Sequence, residues 1–311
     1  MTEARETGDC RSEWAASERL RRWAPATAFV LFVIGFWATV AYLSSVPVAK
    51  QLNDVAPFDL WVGLFGAIGG FALAAFIYFG MWLLGITRLF NQVRIVSALS
   101  WLAVVVVVLT TVFASLFIGA GSAENSLDKE LALQARPIIV LVAICLLPGL
   151  VAFVALRSAA TEKTNWRERG PCRLRLIMRL RAELLRVLGT FGAFLTLLVI
   201  TTGMRRRALL AFDAELAIPA EGVLLYGLLF AVVLGLFYGT TTAAIDNRAA
   251  RLLEEFAPMP DPSDPALSEQ IRRRNDLADV IGSGGSWRSF ETSVVIAAPL
   301  LTALIGSATG A

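Results

Sequence analysis

Charge is almost absent from seven long stretches of the chain and gathers in the intervals between them. The uncharged stretches run at 25–45, about 60–86, 95–119, 137–156, 184–203, 219–245 and 292–310, with Arg186 in the first turn of the fifth and Glu221 at the edge of the sixth. A bilayer core takes about 20 apolar helical residues to cross, because lipid offers no partner to backbone N–H and C=O groups. The pattern therefore predicts an all-α fold, a polytopic transmembrane helix bundle of seven spans. The run from Val104 to Val108 would suit a buried strand, but it sits inside a 25-residue uncharged stretch, and length decides for helix. The last stretch is short and carries Pro299, so six spans plus a re-entrant final segment is the alternative.

The polar intervals divide the chain. Residues 1–24 form an N-terminal segment that leads to Pro25 at a first helical position. Its polar part is long and mixed in charge, which predicts a retained signal anchor rather than a cleaved signal peptide. Residues 25–245 form a six-helix membrane core. Within it, RLRLIMRLRAELLRVL places Leu174, Ile177, Leu180, Leu184 and Leu188 at helical spacing, predicting a basic amphipathic helix at 173–188 that runs into the fifth span. Residues 246–291 form a helical segment and linker: helix continues from the sixth span to Phe256, the proline-rich PMPDPSDP stops it, and a short helix follows at about 266–281. The GSGGS run at 282–286 reads as a flexible joint before the C-terminal membrane segment at 292–311.

Arginine and lysine set the orientation, since short loops rich in them stay cytosolic. With the N-terminus in the cytosol, 22 basic residues fall inside and 6 outside; without a fifth crossing the ratio drops to 19 against 9. Arg205, Arg206 and Arg207 are the main discordance. The expected location is the cell membrane, multi-pass, with segments 1–24 and 246–291 cytosolic. Trp23, Tyr42, Trp61 and Trp82 lie near helix ends, where amphipathic rings favour the headgroup region.

Composition agrees and narrows the chemistry. Hydrophobic residues make up 57% and charged residues 17%, outside the balance of soluble domains. A net charge of +3 without a dense basic patch argues against nucleic acid as a partner. There is no histidine, which removes the commonest metal ligand and general base. Cys10, Cys145 and Cys172 are far apart and lack the spacing of a metal or redox site. Asp261 and Asp264 lie among prolines, and no phosphate-cradling glycine loop follows a strand. No catalytic residue, metal or cofactor is expected, and an enzyme is the least favoured class.

Within the spans, small residues recur every fourth position: Gly227, Ala231, Gly235, Gly239 and Ala243 in the sixth, and Gly66, Gly70 and Ala74 in the second. Such rows let helix backbones approach closely, most simply inside one copy of the chain. Glu221, Asp246 and Glu291 fall at span ends, so no carboxylate marks an ion path through the bilayer centre. Thr240, Thr241 and Thr242 are expected to bond back to their own helix. Arg173, Arg175, Arg179 and Arg181 are placed to meet anionic lipid headgroups along the inner leaflet. These features predict a non-enzymatic membrane component whose partners are the lipid bilayer, anionic headgroups and protein on the cytosolic face. The competing expectation is a transporter or channel for a small neutral or amphipathic solute, with its path along the glycine-rich second and sixth spans.

Overall fold

The computed structural model describes residues 25–45, 56–89, 140, 144, 147–161, 171–212, 220–259, 267–281 and 286–308, all helical except 257–259. We number the helices α1 (Pro25–Ser45), α2 (Ala56–Leu89), α3 (Leu147–Thr161), α4 (Pro171–Phe212), α5 (Ala220–Phe256), α6 (Leu267–Ile281) and α7 (Ser286–Ala308). Four of them, α1, α2, α4 and α5, are long and apolar enough to cross a membrane; α3 and α7 carry shorter apolar stretches, Leu147–Thr161 and Thr292–Ile305. The chain is thus all-helical among the described residues. The expected span at 95–119 and the segment 1–24 lie outside them, as do residues 282–285 of the GSGGS joint.

Length separates the helices. The 42 residues of α4 extend about 63 Å and the 37 of α5 about 55 Å, roughly twice the thickness of a bilayer core. The basic amphipathic helix at 173–188 and the stretch expected as the fifth span are one unbroken helix, because no proline or glycine pair interrupts the run from Arg173 to Leu188. Likewise the stretch expected as the sixth span continues without a break through Phe256. These two helices run antiparallel, with Arg181 beside Asp246 and Arg173 beside Glu255, so their surplus lengths project from the same end of the bundle.

The central helix is α4, which packs on α2, α5 and α7. It runs antiparallel to α2: Trp82 meets Glu183, Phe71 lies 5.7 Å from Phe194 between ring centres, and Phe58 and Trp61 share a buried cluster with Ala208 and Leu209. Aromatic rings fill the middle. Phe191 sits 5.9 Å from Phe79 of α2 and 5.7 Å from Phe153 of α3, and Phe153 reaches Phe237 of α5 at 6.0 Å. Gly149 admits those rings, since an added Cβ would stand 2.6 Å from Phe191 and 2.8 Å from Phe79. Meanwhile α7 follows α5 antiparallel, from Thr292 beside Tyr238 to Ala303 beside Gly227, as one continuous helix that carries Pro299 inside it.

Two of the four tryptophan and tyrosine residues expected at the headgroup level turn inward instead. Trp61 is packed between Phe58 and Phe65, and Trp82 is buried with its indole N–H bonded to Glu183. A buried polar tip with a partner satisfies the ring as well as the interface does. Tyr42 remains exposed, and Trp23 lies outside the described residues.

Candidate functional site

The end of the bundle where α4 and α5 overhang gathers most of the charged side chains whose partners are defined. Its foundation is Glu183. On α4 this residue falls on the same face as Leu180, Leu184 and Val187, so the helical repeat that buries those side chains carries the carboxylate in with them, leaving it 2% exposed. A buried carboxylate is tolerated only when charge and hydrogen bonds compensate its desolvation. Among the described residues, the Trp82 indole donates to Oε2 at 2.8 Å, Arg186 donates to Oε1 at 3.1 Å, and Arg179 lies 4.0 Å from the same oxygen. The arginines stand one turn before and one turn after, where i,i+4 and i,i+3 neighbours meet.

Above Glu183 the overhang is tied by arginine. Arg181 bridges Asp246 of α5 at 2.5 Å and the carbonyl of Ile281, the last residue of α6. A cation suits a helix C-terminus, where carbonyls lack intrahelical donors. At the other side Arg274 of α6 donates to the Ala257 carbonyl at 2.5 Å, just past the end of α5. Arg173 pairs with Glu255 at 2.6 Å. The short helix α6 is therefore folded back on the overhang, and Ile281 is delivered into the apolar core shared by α2, α3, α4 and α5.

The arginines singled out from sequence thus have unlike surroundings. Arg173, Arg179 and Arg181 are turned to Glu255, Glu183 and Asp246, because the antiparallel α5 and the next turn of α4 bring carboxylates level with them, while Arg175 is exposed. Ile177, Leu180 and Leu184 face the bundle, all buried.

The glycine rows also part company. On α2, Gly66 and Gly70 receive α1: an added Cβ would stand 2.6 Å from Val40 and 2.5 Å from the Phe32 carbonyl oxygen. On α5, Gly227 receives α7, at 2.6 Å from Ala303 and 2.8 Å from the Pro299 oxygen, and Gly235 has Ile296 at an ordinary 3.6 Å. Gly239 has no described residue within 4 Å and Ala243 is exposed. Spacing by four drifts about 40° per step on a helix of 3.6 residues per turn, so Gly239 has turned roughly 120° from Gly227. The packing row ends where that drift leaves α7 behind.

Thr240 and Thr241 donate to the Phe237 carbonyl at 3.3 and 2.8 Å, the back-bonding expected of helical threonines, whereas the buried Thr242 hydroxyl has no hydrogen-bond partner among the described residues. Among the described residues no three metal-ligating side chains converge. Sequence reading overlooked Glu183 and its link to Trp82. The available signal was a carboxylate in register with the Leu180 and Leu184 stripe, flanked by arginines at −4 and +3. Gly35 and Gly69 were missed as well; an added Cβ at Gly35 would stand 2.9 Å from both the Gly69 oxygen and the Gly70 Cα. No protein-family model, curated protein or solved structure matches the chain.

Proposed function

We propose that the chain is a seven-span protein of the cell membrane, with its N-terminus in the cytosol, that works without catalysis as an interaction component through its overhanging charged end. The observation that carries this reading is the overhang itself. Two spanning helices continue well past their uncharged runs, and the surplus is braced by cross-helix ion pairs and capped by α6. Its outer surface offers Met259, Ile271, Arg272, Arg273, Asp276 and Asp279 to an aqueous partner. The surplus of arginine supports a cytosolic location for this end under the positive-inside rule. The return of α4 to the end at which α2 stops suits two crossings by the intervening chain, through 95–119 and the α3 region.

Transport along the glycine rows receives no such support. The α2 row is occupied by α1, and the α5 row meets α7 at Gly227 and Gly235.

Photo-crosslinking in native membranes tests the interaction reading. A crosslinker at Ile271 or Met259 is expected to capture a discrete partner, and the joint substitution Arg272→Glu with Arg273→Glu should abolish that product without loss of folded protein. Absence of any discrete product from either position removes the reading. Cysteine accessibility is expected to place 255–265 in the cytosol and 50–55 with the C-terminus outside; the reverse pattern removes the orientation.

A further inference from the structure

The discordant triplet Arg205, Arg206 and Arg207 gains a meaning once depth is measured along the helices. Asp246 closes the uncharged run of α5 and is bound by Arg181 of α4, so the two define one level at the overhang end. Trp82 of α2 meets Glu183, which lies about 3 Å inside that level along α4. Past Arg186, α4 is uncharged from Val187 to Met204, and α2 and α5 are uncharged over 60–87 and 222–245. Charge returns at Arg205 to Arg207 on α4, at Glu221 on α5 and at Asp59 on α2. At a rise of about 1.5 Å per residue, these stand about 36–39, 37 and 37 Å from the Arg181 level. Three helices measured separately thus reach charge again at one depth. A common tilt of about 20° shortens that distance to about 35 Å. Centred on a hydrocarbon core of about 30 Å, the two levels lie about 2–4 Å outside it, within a headgroup layer roughly 5–7 Å deep.

The two carboxylates have a local cause, since each stands in the first turn of its helix, where the dipole favours an anion. The arginines have none: they precede the last turn of α4, and the positive-inside rule disfavours them at the end opposite the overhang. What this depth supplies to a cation is phosphate. We propose that Arg205, Arg206 and Arg207 are seated in the phosphate layer of the leaflet opposite the overhang, and that their contact with lipid phosphate fixes how deeply α2, α4 and α5 sit in the bilayer. All three are partly buried and hold contacts within the chain. A guanidinium carries five donors in a planar fork, so one such contact leaves others for phosphate oxygens. Three consecutive side chains also fan across about 200° of the helix, which suits a layer of headgroups better than a single pocket. This anchor rests on the membrane reading above and is independent of any partner at α6.

Depth-dependent fluorescence quenching tests it, on the full chain with its native cysteines replaced by alanine, in phosphatidylcholine vesicles carrying a nitroxide either on the headgroup or midway along the acyl chain. A bimane on Arg206→Cys or Asn247→Cys should be quenched more by the headgroup nitroxide. On Val232→Cys, an exposed position between the two levels, the acyl-chain nitroxide should quench more. Stronger acyl-chain quenching at Arg206→Cys, or quenching by neither nitroxide, would overturn the anchor while Val232→Cys kept the membrane reading. Absence of acyl-chain quenching at Val232→Cys would remove that reading and the anchor with it. With the reporter at Glu221→Cys, the joint change Arg205→Gln, Arg206→Gln and Arg207→Gln should lower the ratio of headgroup to acyl-chain quenching about twofold as the helix ends sink. Lysine at the same three positions should keep the ratio, since an ammonium also binds phosphate. An unchanged or raised ratio with glutamine would mean that apolar length alone sets the depth, and would overturn the role of the arginines. Excess inorganic phosphate should leave the ratio unchanged; a fall equal to that of the glutamine variant would overturn lipid phosphate as the occupant. The Arg206→Cys reading decides the depth whether or not the glutamine variant folds.

Discussion

The α1–α2 pair and the overhang of α4, α5 and α6 are held together by opposite means. Between α1 and α2 the backbones touch at Gly35, Gly69 and Gly70, and shape does the work. At the overhang the contacts are made by long side chains: Arg173 to Glu255, Arg181 to Asp246 and to the end of α6, and Arg274 to Ala257. The difference follows from the solvent. On the proposed membrane reading, lipid tails are as apolar as leucine, so helices inside the bilayer gain nothing from burial and associate through close packing. Past the hydrocarbon edge, water restores the hydrophobic effect but screens exposed charges, so only partly buried ion pairs hold helices in register. Glu183 stands at the junction, where a carboxylate is still packed among apolar side chains and needs Trp82 and two arginines to remain there.

The sharpest way to break this comparison is Gly70→Leu, which would drive a branched side chain into the backbone at Phe32. Because a carbonyl cannot rotate aside as a side chain does, the expected cost is about 3 kcal/mol or more, seen as loss of the monodisperse species on size exclusion in detergent. Gly239→Leu should leave the same profile unchanged, since no described residue stands within 4 Å of that position. Equal tolerance at both sites would mean that close approach does not hold the pair.

Next in size is Glu183→Ala, which removes the acceptor from Trp82 and the counter-charge from Arg179 and Arg186. Stranding buried polar groups typically costs about 3 kcal/mol, and thermal unfolding followed by tryptophan fluorescence should report a loss of that order. Trp82→Phe keeps the ring and deletes only the N–H, for an expected loss of about 1–2 kcal/mol. If Trp82→Phe were as damaging as Glu183→Ala, the indole bond rather than the charge would be the anchor.

A smaller effect is expected at Arg181, where Arg181→Gln uncouples α5 and α6 from α4 for about 1–2 kcal/mol, with faster amide exchange confined to α6. The smallest belongs to Arg273→Gln. Its pair with Glu269 is exposed on one helix face, and such pairs contribute roughly 0.3–0.5 kcal/mol. Raising salt should weaken this last pair most, because fully solvated charges are screened first.

Much of the fold was legible in order. Helix α1 spans the residues that its uncharged run marked, α5 continues to Phe256 as the sequence between Asp246 and the prolines suggested, and α6 occupies the stretch before the GSGGS joint. These elements are set by local causes: uncharged length, helix-forming residues and proline stops. The unbroken length of α4 was half-legible, since the basic amphipathic stretch pointed into the fifth span, whereas the early start of α7 at Ser286 was not marked by any change in hydropathy.

What the chain by itself determined was which segments are apolar enough to leave water and which end of the bundle carries the surplus of arginine. Partnership was decided only in three dimensions. Gly66 and Gly70 belong to α1 and Gly227 to α7, Gly239 has no described neighbour within 4 Å, and Glu183 is buried although it is charged. A row of glycines records that something can come close, and its periodicity drifts around the helix without recording what does. A carboxylate beside arginines reads equally well as a solvated surface or as a buried anchor. The antiparallel pairing of α2 with α4 and of α4 with α5 resolves both, because it brings Trp82, Asp246 and Glu255 from distant positions in the chain to the level of Glu183, Arg181 and Arg173.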